Sequence, residues 1–302
     1  MSPFPVVPVD ACPLCGSPNL EAQSHIIPAF VFDYLKESSM TGFMRSGPAP
    51  NLRVQDGVTQ RLLCNEHENL LSRSEGEVAQ RLFQPYHADT SVVVSYDAWL
   101  GHFCASLCWR VLFIFSRLGL NNCSDEQKAL VAQVLDRWKE FILGHTAAVG
   151  PFELHLVRLD VMESATGSIW PPNMYRYLAR AIEMDVGASP SSTFVFVKLC
   201  KLIFVGFVQM KHPQEWINTR IDATGVIRPG KFGLPNMFGT FLADHARRIA
   251  DLQAQISERQ KAKILESAKA DMERAVNSAS FEAMGYDVAM FGRDAFDDEP
   301  KK

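Results

Sequence analysis

Cys12-Pro13-Leu14-Cys15 and Cys64-Asn65-Glu66-His67 are the two segments that most constrain how this chain folds. Each pair separates its members by two residues, the spacing at which one tight turn aims two side chains at a common point. Together they offer three thiols and an imidazole. That is a closed tetrahedral donor set with no position left for water, the chemistry of structural zinc. Gly16, directly after the first pair, supplies the backbone freedom that such a turn uses. Without a metal the same residues would be ordinary thiols and a chance Cys/His pair on a helix. With one, the 48 residues between Cys15 and Cys64 are pinned at both ends. His25 lies among them, in Ser24-His25-Ile26-Ile27-Pro28.

A CxxC pair, a His-Ile-Ile-Pro segment about ten residues on and a second ligand pair opening a helix resemble the HNH, or ββα-metal, nucleases. The resemblance covers about residues 12–82. It implies that Cys12, Cys15, Cys64 and His67 hold structural Zn²⁺ and that His25 is the general base activating water against a DNA phosphodiester. Imidazole suits that role because its pKa lies near neutral pH, and a divalent cation neutralises charge building on the phosphate. Three positions depart from the family pattern. Ser24 stands where an Asp, Glu or His commonly precedes the base. Only Thr59 or Gln60 matches the central Asn that buttresses the loop. Glu68 replaces the last metal-binding His, and its carboxylate suits Mg²⁺ or Mn²⁺. Two readings stay open: a variant nuclease site built on His25 and Glu68, or a non-catalytic zinc module that binds nucleic acid or a protein partner. Family members serve in mobile elements and in bacterial defence against phage, so a protein partner is a further expectation by resemblance; separately, the long C-terminal helical pattern could pack on its own domain or against a second copy of the chain.

Charge limits how DNA could be met. Residues 1–89 hold six Lys/Arg against ten Asp/Glu, and the remaining residues balance at 24 of each sign. Phosphate contact would then be local, and Arg45, Arg53, Arg61 and Arg73 are the candidates. Arg81 and His87 carry the spacing of HEPN ribonucleases, but Pro85 between them is expected to end the helix early.

At 302 residues and 47% hydrophobic content the chain can bury a large core, most simply in two domains. Seven cysteines, three of them assigned to metal, fit a reducing cytoplasm better than a disulfide framework. The opening residues carry no basic, apolar leader pattern. Lys198 and Lys201 interrupt the apolar run Phe194–Met210, and Arg110 precedes the one at Val111–Phe115, so neither a secretory signal nor a membrane span is expected.

The expected class is α+β: a zinc-stapled ββα-metal module over residues 1–90, then a larger, mainly helical domain over 91–302 with a small antiparallel sheet and a long C-terminal helix. Helical spacing predicts a helix over Ala29–Glu37 and another from Glu66 to Phe83. A loop is expected over Ser38–Pro50. Leu52–Val54 and Val58–Leu63, around Asp56-Gly57, read as a hairpin. A wide apolar stripe from Trp99 to Phe115 predicts a core helix, followed by one over Asp125–Leu143 capped by Ser124. Strands are expected at Phe152–Val161, Thr193–Leu199, Leu202–Gln209 and Trp216–Ile227, and a short helix at Pro171–Met184. The C-terminal helix is expected over Pro235–Ala279, with a disordered acidic tail at Asp294–Glu299.

Overall fold

The computed structural model describes residues 6–21, 23–47, 49–57, 59–160 and 170–296, and all structural statements concern those residues. The leader reading of residues 1–5, Val58, Val161 and the tail beyond residue 296 lie outside them.

The chain opens with the Cys12–Cys15 turn and β1 (Ser24–His25). Pro28 fixes the entry to α1 (Ala29–Glu37), which buries Val31 and Leu35. In the stretch expected to be a loop, β2 (Met44–Arg45) pairs with β3 (Arg53–Val54), and β4 (Thr59–Gln60) returns to pair antiparallel with β1. The expected hairpin between Leu52–Val54 and Val58–Leu63 therefore does not form. The ring of Phe32, on α1, lies over Gly57 so closely that a Cβ there would fall 2.1 Å from it.

Next comes α2 (Asn65–Val78), a π-turn over Ala79–Phe83, and α3 (Gln84–Ala88). Pro85 does not end the helix as expected. The Gln84 N–H reaches the Ala79 carbonyl, and this widened turn relieves the clash that a proline ring makes with the carbonyl four residues earlier. Beyond β5 (Val94–Tyr96) run α4 (Ala98–Leu118) and α5 (Asp125–Ile142), the latter with a reciprocal Ser124–Gln127 capping box. Then come β6 (Leu154–Arg158), α6 (Met174–Arg180), β7 (Ile182–Ser189), β8 (Ser192–Leu199) and β9 (Leu202–Met210). The last four strands form one antiparallel sheet in the order β6-β9-β8-β7.

Two expectations around this sheet are corrected. The helix expected to Met184 stops at Arg180, because Ile182–Ser189 pairs with β8 along its whole length. The strand expected over Trp216–Ile227 shrinks to β10 (Gly225–Ile227), which pairs with β5, while Ile217 and Arg220 make only isolated bridges.

At the C-terminus the single long helix is instead α7 (Asn236–Ala254), α8 (Glu258–Ala270), α9 (Met272–Val276) and a further helix, α10 (Ala279–Phe291). The Asn51 side chain makes the first break. It accepts the Ser257 N–H at 2.8 Å and donates to the Gln255 carbonyl at 3.1 Å. Asp271 makes the second by accepting the Arg274 N–H. A contact with residue 51 is invisible to local periodicity.

The sheet is covered on both faces, which explains why β8 is buried along nearly its full length. Val195, Val197 and Leu199 face α4 and α5, whereas Phe194 and Phe196 face Trp216 and α7. One buried cluster runs from Cys12 and Leu62 through α4 to Phe204. By length and hydropathy α4 could cross a bilayer, which the sequence expectation passed over. Yet 78% of its apolar window is buried inside the fold. Its lining by protein on several sides accounts for the composition.

His87, on α3, is a core residue. Its Nδ1–H donates to the Phe83 carbonyl at 2.7 Å and its Nε2 accepts the Lys201 N–H at 3.1 Å. Arg81, by contrast, is exposed, pairs with Glu77 and lies over the Trp99 ring, so the HEPN-like pair is not assembled. Burial pushes the His87 pKa down to about 3 from 6.5. Because the folded value is the lower one, this neutral ring stabilises the fold fully above pH 6.5, and the contribution fades as pH falls from 6.5 toward about 3. At pH 5 the ¹⁵N signals of His87 are expected to report a neutral Nδ1–H tautomer. A charged ring at that pH would contradict the packing described.

Candidate metal centre

Two backbone turns build the first functional site. In the first, the Cys12 N–H donates to Ser17 and the Gly16 N–H returns to the Cys12 carbonyl at 2.7 Å, with Gly16 at φ +78. That left-handed conformation is one a side chain would strain. In the second, Cys64 is the N-cap of α2, and its carbonyl accepts the His67 and Glu68 N–H groups at 3.0 and 2.9 Å. The Glu21 N–H bonds to Leu63 at 2.8 Å and Lys139 donates to Pro13 at 3.1 Å, tying both turns to the rest of the fold.

The four donor atoms of Cys12, Cys15, Cys64 and His67 all lie within 4.8 Å of one another. Cys15 Sγ is 3.7 Å from Cys64 Sγ, Cys12 Sγ is 3.8 Å from His67 Nδ1, and Cys64 Sγ is 3.1 Å from the same nitrogen. Zinc–sulfur and zinc–nitrogen bonds of about 2.3 and 2.0 Å in a tetrahedron require edges of roughly 3.5–3.8 Å. The cluster fits that size. No cysteine is in a disulfide, and Cys15 alone of the three thiols is exposed. The Ser17 N–H lowers the Cys15 pKa, while burial pushes the Cys64 thiol up to about 11. A metal ion reverses the second effect, because a coordinating thiol gives up its proton.

His25 lies on β1 and Glu68 in the first turn of α2, the helix that Cys64 opens. His25 on β1 is half-buried, and its ring has no hydrogen-bond partner among the described residues. Thr59 lies directly across the ladder from it and Gln60 across from Ser24. The buried Ser24 hydroxyl accepts the Leu63 N–H at 3.0 Å, so the residue that departs from the family pattern fixes the strand against the second turn. Glu68 is one residue beyond His67. Burial raises its carboxyl above the usual carboxylate range, while Ser24, Arg110 and His25 act in the opposite direction. Its Oε1 is buried with no hydrogen-bond partner among the described residues.

Sequence reasoning treated Arg110 only as a charge beside an apolar run, and it is the residue most missed. From the middle of α4, 1% exposed, its guanidinium donates to the His25 carbonyl at 2.7 Å and to Glu75 Oε1 at 2.7 Å. It therefore clamps β1 to α2 behind the His25 ring. The available signal was a lone arginine inside a wide apolar stripe, since a buried cation requires a partner.

The four arginines nominated for DNA are dispersed. Arg45 and Arg53 face each other across β2 and β3. Arg45 donates to the Pro50 carbonyl and to Gln260, and Arg53 covers the Phe43 ring at 3.7 Å. Arg61 and Arg73 are exposed, just beyond β4 and on α2. Comparison with protein-family models, curated proteins and solved structures found no match.

Proposed function

We propose that the zinc-pinned segment is a metal-dependent, HNH-like endonuclease site that hydrolyses DNA phosphodiesters, with His25 as general base. The observation that supports this reading is the β1–β4–α2 arrangement beside the Cys/His cluster, with His25 on β1, Glu68 in the first turn of α2, and His25 among the charges that act on the Glu68 carboxyl. His25 takes the proton of the attacking water. The Arg110 bond to its backbone carbonyl and the ladder to Thr59 hold its backbone in place. Glu68, with an orphaned buried oxygen, would hold Mg²⁺ or Mn²⁺ in an open site completed by water and phosphate oxygens. When bound, that cation neutralises charge on the phosphate. Glu75 is already committed to Arg110.

A second reading, a non-catalytic zinc module that binds nucleic acid or protein, draws on the acidic balance of residues 1–89 and on the two hydrogen bonds that occupy Arg45. Plasmid nicking separates the two. In Mg²⁺ or Mn²⁺ the full chain is expected to nick, and His25→Ala to slow nicking at least about 100-fold with zinc content and melting temperature unchanged. Nicking at the parental rate in His25→Ala, or none by the parental protein, would remove the nuclease reading.

A further inference from the structure

A cavity of about 680 Å³ lies between the zinc-bearing segment and the C-terminal helices. Its walls come from α1 and the loop after it, the β2–β3 pair, the α6–β7 junction, α7 and α10. Most of the lining is apolar, with Phe32, Met44, Leu52, Ile249, Leu252 and Met284 contributing. That volume lies within the range of small-molecule sites, which combine an apolar wall with a few placed polar groups.

The polar groups here are unbalanced in sign. Arg45 donates to the Pro50 carbonyl and Gln260, and Arg180 to Ser38 Oγ and the Leu35 carbonyl, both at 3.0 Å. Neither arginine has a carboxylate partner among the described residues. The other charged groups in the wall are matched: Glu183 by His245 and Arg248, Arg176 by Asp287, and Asp56 by Lys36. Burial lowers the pKa of both Arg45 and Arg180, and Arg53 adds repulsion at Arg45. A guanidinium does not escape this cost by losing its proton, so two cations border a largely apolar space with only neutral partners. A third observation stands apart from charge. Ser46, also in the wall and 4% exposed, has a buried hydroxyl with no hydrogen-bond partner among the described residues.

We propose that this cavity binds an amphipathic acid, a molecule with an extended apolar body whose carboxylate or phosphate neutralises the Arg45 and Arg180 guanidiniums, with Ser46 as a further donor. The apolar wall takes the body, and the anion supplies the charge that the protein itself does not. Charge-assisted bonds from a planar guanidinium to either head group give the site its preference for acids. The site is independent of His25, so it stands or falls separately from the nuclease reading.

Calorimetric titration of the full, zinc-loaded chain tests it with four probes: dodecanoate, dodecyl phosphate, dodecanol and dodecyltrimethylammonium. One equivalent of at least one acid is expected to bind, at least about tenfold more tightly than the alcohol, with the cation weaker still. Arg45→Gln and Arg180→Gln are each expected to shrink the preference for acid over alcohol while leaving alcohol binding unchanged. Melting temperature and zinc content check that both variants fold. If Arg180→Gln does not fold, Arg45→Gln with Ser46→Ala carries the test. Comparison of the two acids reports which head group the cavity takes. Equal affinity for acid and alcohol, binding of many equivalents, no binding, or an acid preference untouched by the substitutions would each overturn the proposal.

Discussion

Arg110→Ala is expected to destabilise the protein by about 3–5 kcal/mol, the cost of leaving one member of a buried ion pair without its partner. Glu75 is the stranded group, with its side chain 19% exposed, and the His25 carbonyl loses its donor at the same time. Two elements are released together, because the guanidinium is what joins β1 to α2 from within α4. The effect belongs to the uncompensated charge more than to the lost attraction. Replacing both partners, Arg110→Met with Glu75→Leu, is therefore expected to recover much of the loss. Urea denaturation of the single and double variants measures it. A single variant within about 1 kcal/mol of the parent would show that Arg110 is not the clamp the geometry describes.

Cys64→Ser is expected to have the larger effect. Cys64 belongs to the candidate metal cluster and is also the N-cap residue from which α2 begins, so with zinc bound its loss would disconnect the Cys12–Cys15 turn from the helix. Structural zinc contributes on the order of 10 kcal/mol of apparent free energy in small zinc modules, and an ion held here would close a loop of 48 residues. The variant should retain no stoichiometric zinc, and proteases should cut between α1 and β4 under conditions that leave the parent intact. Cys123→Ser, a buried thiol outside the cluster, should keep its metal. Retention of one equivalent of zinc by Cys64→Ser would contradict the assigned ligand set.

The Cys/His cluster was legible because its signal is local: two residues between donors, a glycine after the first pair and a helix start at the second. Helices α1, α4 and α5 were legible for a related reason, since their periodicity and the Ser124 cap need no distant partner. The segments that were misread all depend on one. Asn51 breaks the C-terminal helix from 200 residues away, as its bond to Ser257 spans 206 positions. Phe32 over Gly57 displaces a hairpin that composition alone would favour. Ile182–Ser189 became a strand because β8 presented an edge to it, although Tyr177, Ala181 and Met184 sit at helical spacing. Around His25 the sequence nominated the ring and Glu68 but not the buried arginine that bonds the His25 backbone. Arg110 lies 85 residues from His25 and 35 from Glu75, separations that no motif window spans. The cavity with Arg45 and Arg180 was hidden for the same reason, because five separate stretches of chain enclose it.

One metal ion, shared by two turns that are far apart in the chain, would bring β1 and α2 together around His25. Zinc K-edge X-ray absorption on the full chain, combined with elemental analysis, examines that directly. One zinc per chain is expected, bound by three sulfurs at about 2.3 Å and one nitrogen at about 2.0 Å. Protein purified without chelator that holds no stoichiometric metal, or an absorption edge showing oxygen and nitrogen donors alone, would contradict it.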